Sequence, residues 1–282
     1  MKIFISDLHL GDGSRTDDFH RDREFLEFLE FVDSEAQELI ILGDFMELWQ
    51  ADLDRVLFTH SEVMHKLLSL RKKIKITYVI GNHDYIPFVK FLDLDVGISL
   101  EYRDTEEGIV AEHGNRYDIF NRYKNPLKSI KWPAGKYFTL FVASLERLVH
   151  PDVDKWTNKT LENLDGFLKE AVFIRNKIAP STEEYVKCGG HFGEFQEAVK
   201  NHIKRNAKIV VFGHTHRPQL DIVGQGIYAN CGTWVDGAVP TYVAYYKDRI
   251  ELKEALGHKV IKRLALEKQC RLTPGPVPDK AI

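Results

Sequence analysis

Asp7, His9, Asp44, Asn82, His113, His214 and His216 are the residues whose types and spacing point to chemistry in this chain. They fall in five short segments: Asp7-Leu8-His9, Gly43-Asp44, Gly81-Asn82-His83-Asp84, His113-Gly114 and Gly213-His214-Thr215-His216. Carboxylate, imidazole and amide-oxygen donors without a thiolate suit Mn²⁺, Fe²⁺ or Zn²⁺ better than a structural cysteine–zinc site describes them. Two such cations about 3.5–4 Å apart can hold both the attacking and the leaving oxygen of a phosphoryl transfer. Asp44 is the natural bridge, one oxygen to each ion. Asp7/His9 and His214/His216 are spaced i, i+2, which from an extended loop turns both side chains toward one point. Any one Gly-Asp or Asn-His after a strand is more often a turn or helix cap. Five such coincidences in order are not. The remaining histidines (His20, His60, His65, His150, His191, His202 and His258) lack this context and read as surface or packing residues.

Short apolar runs must position these segments. Residues 2–5, 39–42 and 74–80 are rich in Ile and Val and read as buried strands. Phe25, Phe28, Leu29 and Val32 recur at helical spacing between the first two, and Val56, Val63, Leu67 and Leu70 between the second and third. Strand–helix alternation implies a parallel sheet with right-handed crossovers, and its ligand loops lie at the carboxyl ends of the strands. Residues 109–111 lead in the same way into His113, and 209–212 into His214. Beyond residue 216 four antiparallel strands are expected, at 220–223, 227–230, 242–246 and 250–256, forming a second sheet packed on the first. The predicted fold is α/β: two packed mixed β-sheets flanked by helices, an α/β/β/α sandwich, with a helical cap insertion. Residues 1–116 and 206–257 form the core, 117–205 the cap, and 258–282 a proline-rich tail.

The net charge of −3 argues against a nucleic acid as the partner. Three separated cysteines without a CxxC fit a reducing compartment. The chain begins in a strand rather than a signal peptide, and its best apolar run, 137–145, is too short to span a bilayer. A cytoplasmic protein is expected.

The five segments, in this order, resemble the blocks of the calcineurin-like metallophosphoesterase family: D-x-H, G-D, G-N-H-D/E, H-G and G-H-x-H. The resemblance spans residues 1 to about 235. It implies a binuclear centre, with Asp7, His9, Asp44 and His216 on the first ion and Asp44, Asn82, His113 and His214 on the second. It also implies that a metal-bridging hydroxide attacks phosphorus. By the same resemblance His83 faces the leaving oxygen as acid or charge stabiliser, with Asp84 holding its ring. Two divalent ions are therefore the expected cofactors, Mn²⁺ first, Fe²⁺ or Zn²⁺ otherwise.

Within that family, Ser6 to Asp12, Ile41 to Trp49 and His214-Thr215-His216-Arg217-Pro218 look like the UDP-2,3-diacylglucosamine hydrolase branch, the Phe45/Trp49 pair above all. The best-known members of that branch carry arginine at the place of His83, where the histidine follows the general phosphoesterases. Two substrate classes stand side by side: a nucleotide-linked lipid, and soluble nucleotides or phosphoproteins. A catalytically silent binding module is the reading of another class. Residues 120–150 interleave cations with aromatics, which suits either a lid that takes acyl chains and touches the inner membrane face or a solvated helical hairpin. Arg116 and Arg122 are the candidate phosphate contacts, because a guanidinium engages two oxygens at once.

Overall fold

The computed structural model describes residues 1–14, 17–84, 97–117 and 191–266. In β1 (Lys2–Ile5) the side chains alternate, Ile3 and Ile5 to one face and Phe4 to the other, and both faces are buried. A strand covered on both sides needs a helix layer on one face and a second sheet on the other, and both are present. Helix α1 (Asp22–Glu35) lays Phe25, Phe28, Leu29 and Val32 on the Ile3/Ile5 face. After β2 (Glu38–Leu42), α2 (Leu53–Thr59) and α3 (Ser61–Leu70) cover the same side. The periodicity from Val56 to Leu70 thus resolves into two helices. They part at His60, whose ring binds Asp22 and the Gly11 carbonyl at 2.6 and 3.1 Å.

β3 (Lys75–Val79), β4 (Gly97–Ser99), β5 (Tyr102–Asp104) and β6 (Ile109–Ala111) follow, then helix α4 (His191–Lys204). The described residues close with β7 (Ile209–Phe212), β8 (Gln219–Val223), β9 (Gly226–Asn230), β10 (Thr241–Tyr245), β11 (Arg249–Glu254) and β12 (Val260–Ala265). Among the described residues one sheet has the order β12-β11-β10-β1-β2-β3-β4 and the other β5-β6-β7-β9-β8. Phe4, Ile40, Leu42 and Val79 meet Ile109, Ile209, Val211 and Ala229 between them. The two-sheet α/β sandwich expected from the sequence is the fold.

Three boundaries differ from expectation. The last strands do not form a sheet of their own. β8 and β9 join the second sheet, β9 parallel to β7, whereas β10 to β12 return to the first beside β1. β10 is buried along its whole length, with Tyr242 and Ala244 against the helices and Val243 and Tyr245 in the sandwich, so it needs a central position. The stretch assigned to the tail from 258 contains β12, an edge strand whose Lys262 and Arg263 keep it in water while Leu264 packs inward. Residues 191–205, assigned to the cap, belong to the core. Phe195, Ala198 and Val199 of α4 close the outer face of the second sheet on Val210, Phe212 and Tyr228. The rest of the cap, 118–190, lies outside the described residues, as does the tail beyond 266. No helix among the described residues is long and apolar enough to cross a membrane.

Candidate metal centre

The loops that follow β1, β2, β3, β6 and β7 leave their sheets at the same end, bringing all seven expected ligands together. Asp7, His9 and His216 form one group that can share an ion, and Asp44, His113 and His214 another. His9 Nε2 lies 3.2 Å from His216 Nε2 and 3.9 Å from Asp7 Oδ1. On the other side His113 Nε2 lies 3.0 Å from Asp44 Oδ2, 3.1 Å from Asn82 Oδ1 and 3.2 Å from His214 Nδ1. Asp44 Oδ2 is also 4.0 Å from His9 Nε2. A single Asp44 oxygen thus faces both groups, where one oxygen toward each was expected. Asp44 Oδ1 is taken by the His83 backbone N–H at 2.8 Å.

Asp7 divides its oxygens in the same way. Oδ2 accepts from Ser6 Oγ and from the His214 backbone N–H, while the buried Oδ1 faces His216 Nε2 at 3.3 Å and His9 Nε2 at 3.9 Å. A buried carboxylate oxygen faced by two imidazole nitrogens is a donor set that a divalent cation satisfies, so the residues fit a metal. The imidazoles agree. His113 Nδ1 faces the Leu42 carbonyl at 2.8 Å, and a carbonyl only accepts. That fixes the proton on Nδ1 and leaves Nε2 as the ligand atom.

The backbone supplies the aim. Asp7, His9, Asp44, His214 and His216 all have positive φ, between 48° and 66°. The i, i+2 pairs therefore converge through left-handed residues, not through an extended loop. Each such non-glycine residue costs about 1–2 kcal/mol, strain that collects at functional sites. Gly81 and Gly213 are required by close approach: a Cβ on Gly81 would strike the Asp44 carboxylate, and one on Gly213 would strike Ser6 Oγ. Asp7 is held from behind by Thr233 Oγ1 and the Trp234 N–H, both donating to its carbonyl at 2.8 and 3.0 Å.

A family model described as calcineurin-like phosphoesterase matches residues 3–218. The chain belongs to that family. It is a metal-dependent phosphoester hydrolase, and calcineurin-like phosphoesterases use a dimetal centre. The chain is similar to the UDP-2,3-diacylglucosamine hydrolase of Blochmanniella pennsylvanica, 37% identical over 77% of this chain and 80% of that one. It is 25% identical to the enzyme of the same name from Vibrio atlanticus, over 77% and 81% of the two chains. A dimetal phosphatase from Danio rerio shares the fold with a TM-score of 0.50 and 13% identity, covering 94% of this chain and 97% of that one.

In this phosphoesterase His83 and Asp84 do not pair as expected. Asp84 is buried, and its carboxylate accepts the backbone N–H groups of Asp44, Gly81 and Met46 at 2.8, 3.0 and 3.2 Å and the Tyr78 hydroxyl at 2.7 Å. It ties the loop after β2 to the loop after β3, and burial, then the Asp44 charge, raise its pKa. The partner of the His83 ring is Glu47, at 2.6 Å from Nδ1, while the Trp49 indole stacks on the ring at 3.9 Å. His83 also comes within reach of an ion shared with His9 and Asp44. Glu47 was missed because a glutamate three residues past Asp44 carries no motif of its own. The only signal was its place between Phe45 and Trp49.

Arg116 is likewise committed elsewhere. It lies in a 3-10 turn (Asn115–Tyr117) and pairs with Glu112 and, at 3.6 Å, with Glu101. Glu112 also binds Tyr117 Oη at 2.8 Å and His202 Nε2 of α4 at 2.7 Å, so one buried carboxylate joins the residues on either side of 118–190 beside His113. Arg122 lies outside the described residues. Glu112→Ala should strand these partners and lower stability by about 2–4 kcal/mol. Denaturant titration checks this; a loss below 1 kcal/mol would refute it.

Burial works against charge on the imidazoles, yet the Glu47 hydrogen bond and the Asp44 charge raise His9 to about 10, and Asp44 raises His113 to about 9. Without metal, both are protonated at pH 7, so metal uptake must release protons and affinity must rise with pH. Calorimetry of Mn²⁺ binding at pH 7 in buffers of different ionisation enthalpy should show net proton release. Heats independent of the buffer would contradict it.

Proposed function

We propose that this chain hydrolyses the pyrophosphate bond of UDP-2,3-diacylglucosamine, using two divalent ions, Mn²⁺ first among them. The observation that carries the chemistry is Asp44 Oδ2, a single oxygen facing two N/O donor groups on converging loops. Asp7, His9, Asp44 and His216 hold one ion; Asp44, Asn82, His113 and His214 hold the other. Bound there, the ions supply Lewis-acid charge to the phosphoryl oxygens and acidify the attacking water towards neutrality. His83, fixed by Glu47 and Trp49, is placed to protonate or stabilise the leaving oxygen. Asp84 keeps the Asp44 and Asn82 loops in register.

The relatives that bear the name UDP-2,3-diacylglucosamine hydrolase support the substrate. Its acyl chains would bring the protein to the cytoplasmic face of the inner membrane, and Arg122 and the aromatic residues between 120 and 150 are the segment proposed to meet it. A second reading, cleavage of soluble nucleotide esters or phosphoproteins, is favoured by His83. Incubating Mn²⁺-loaded protein with UDP-2,3-diacylglucosamine and, separately, bis-p-nitrophenyl phosphate separates them. UMP and lipid phosphate detected by mass spectrometry support the lipid reading. Cleavage of the artificial diester alone discards the lipid and keeps the centre.

A further inference from the structure

We propose that Asn230 and Thr233, in the turn that follows β9, are positioning residues that set the two donor groups of the centre at a fixed separation. Both act through the main chain of residues that carry donors. β9 runs parallel to β7 with Asn230 opposite Phe212, which places its amide beside Gly213. Asn230 is fully buried, and its Nδ2 donates to the Gly213 carbonyl at 2.7 Å. The other end of that peptide is also held, since the His214 N–H donates to Asp7 Oδ2 at 2.8 Å. A peptide is planar, so a bond at each end fixes its tilt. With Oδ2 engaged, Asp7 turns Oδ1 to His216 Nε2 and His9 Nε2 at 3.3 and 3.9 Å. One amide thus bears on Asp7 in the first group and on His214 in the second.

The turn is itself held. Asn230 Oδ1 accepts the Gly232 N–H at 3.0 Å, and an amide with its oxygen on an N–H and its nitrogen on a carbonyl has only one orientation open to it. Thr241 Oγ1 donates to the Cys231 carbonyl at 2.6 Å. Gly232 has a φ of 75° and lies so near Thr241 that a Cβ there would strike its hydroxyl. Further along the turn, Thr233 Oγ1 and the Trp234 N–H both donate to the Asp7 carbonyl, at 2.8 and 3.0 Å. Asp7 is therefore tied to the end of β9 twice, by its carbonyl directly and by its carboxylate through the Gly213–His214 peptide. The separation of the two donor groups depends on how the loop after β1 sits against the loop after β7, and this turn bonds to both.

The inference rests on the two-ion reading above, and its test keeps the two apart. Mn²⁺ affinity is measured by calorimetry on metal-free wild type, Asn230→Ala and Thr233→Val, well below their melting temperatures. Electron paramagnetic resonance reads the coupling between the bound ions, and kcat and KM follow at saturating Mn²⁺ on bis-p-nitrophenyl phosphate. In Asn230→Ala the Gly213 carbonyl keeps the Thr215 N–H at 2.7 Å, so that acceptor is not stranded, but the peptide is free to tilt. We expect Mn²⁺ to bind about tenfold or more weakly, as when an outer partner of a ligand is lost, and kcat to fall by about as much, with KM changed less than about threefold. The exchange-coupled spectrum of the ion pair should weaken in favour of uncoupled Mn²⁺, which a loss of packing alone does not cause. Thr233→Val keeps its shape and loses one hydroxyl, so it reports even where alanine at 230 does not fold. Binding about fivefold weaker is expected of it, the equivalent of one hydrogen bond. An unchanged spectrum, with affinity and kcat within about twofold of an active wild type in whichever variants fold, would overturn the positioning role and leave the two-ion reading standing. A wild type that binds no Mn²⁺ would overturn both.

Discussion

Replacing Asp44 with alanine is expected to remove both ions and lower kcat/KM by about 10³-fold or more, roughly 4 kcal/mol of transition-state stabilisation. The size follows from where the atoms lie. Asp44 Oδ2 is 3.0 Å from His113 Nε2 and 4.0 Å from His9 Nε2, so its loss takes a ligand from both groups at once. Oδ1 holds the His83 backbone N–H, so the loop that carries Asn82 is released in the same step. Burial alone would raise the Asp44 pKa, but the imidazoles of His113 and His83 hold it well below the usual carboxylate range. Removing it leaves buried histidines without their counter-charge. Asp44→Asn keeps the acceptor for His83 N–H and loses the anionic ligand, so it should restore stability and not activity. Metal content by mass spectrometry and kinetics on bis-p-nitrophenyl phosphate decide the matter. Two equivalents of Mn²⁺ with a tenth of the activity retained in Asp44→Ala would refute the bridging role.

The donor set was legible because metal ligands announce themselves by type, and because strand ends repeat one pattern: an apolar run, then a polar residue. Asp7, Asp44, Asn82, His113 and His214 each follow such a run, and the parallel pairing β1-β2-β3 and β6-β7 brings the five loops to one end. What orients those donors was not legible. Left-handed backbone at Asp7, His9, Asp44, His214 and His216 is chosen by the tertiary hydrogen bonds around it, since even Asp and His, which enter it more readily than most side chains, adopt it uncommonly. The family resemblance suggested Asp84 as the partner of His83. Yet a side chain one residue away points elsewhere, and the carboxylate that reaches the ring is Glu47, thirty-six positions upstream. Nor does the sequence show that Glu112, one turn away, pairs with the Arg116 guanidinium. Strand membership failed where period alone cannot choose a neighbour. β9 and β10 carry similar apolar runs and both are buried on both faces, yet β9 lies between β7 and β8 of the second sheet and β10 between β1 and β11 of the first.

His83→Ala should separate acid catalysis from ligation. Placed at 2.6 Å from Glu47 and stacked on Trp49, the ring has its Nδ1 occupied and only Nε2 to offer. If that atom serves the leaving oxygen, the variant keeps its full metal content while kcat falls about 10²-fold or more on a substrate with a poor leaving group. On a p-nitrophenyl ester, whose leaving group needs little help, the loss should be less than tenfold. His83 also lies within reach of an ion shared with His9 and Asp44, and that alternative has a different signature. A ligand's loss lowers metal content and slows every substrate by the same factor, whatever its leaving group. Glu47 sharpens the contrast. Its carboxyl is fully ionised, brought down to about 2 against the effect of burial by His83 first and His9 next. With His83 gone, the whole of that charge falls to His9, so first-ion affinity should hold or rise. Unequal kinetic losses with metal retained place His83 at the leaving oxygen; equal losses with metal gone make it a ligand.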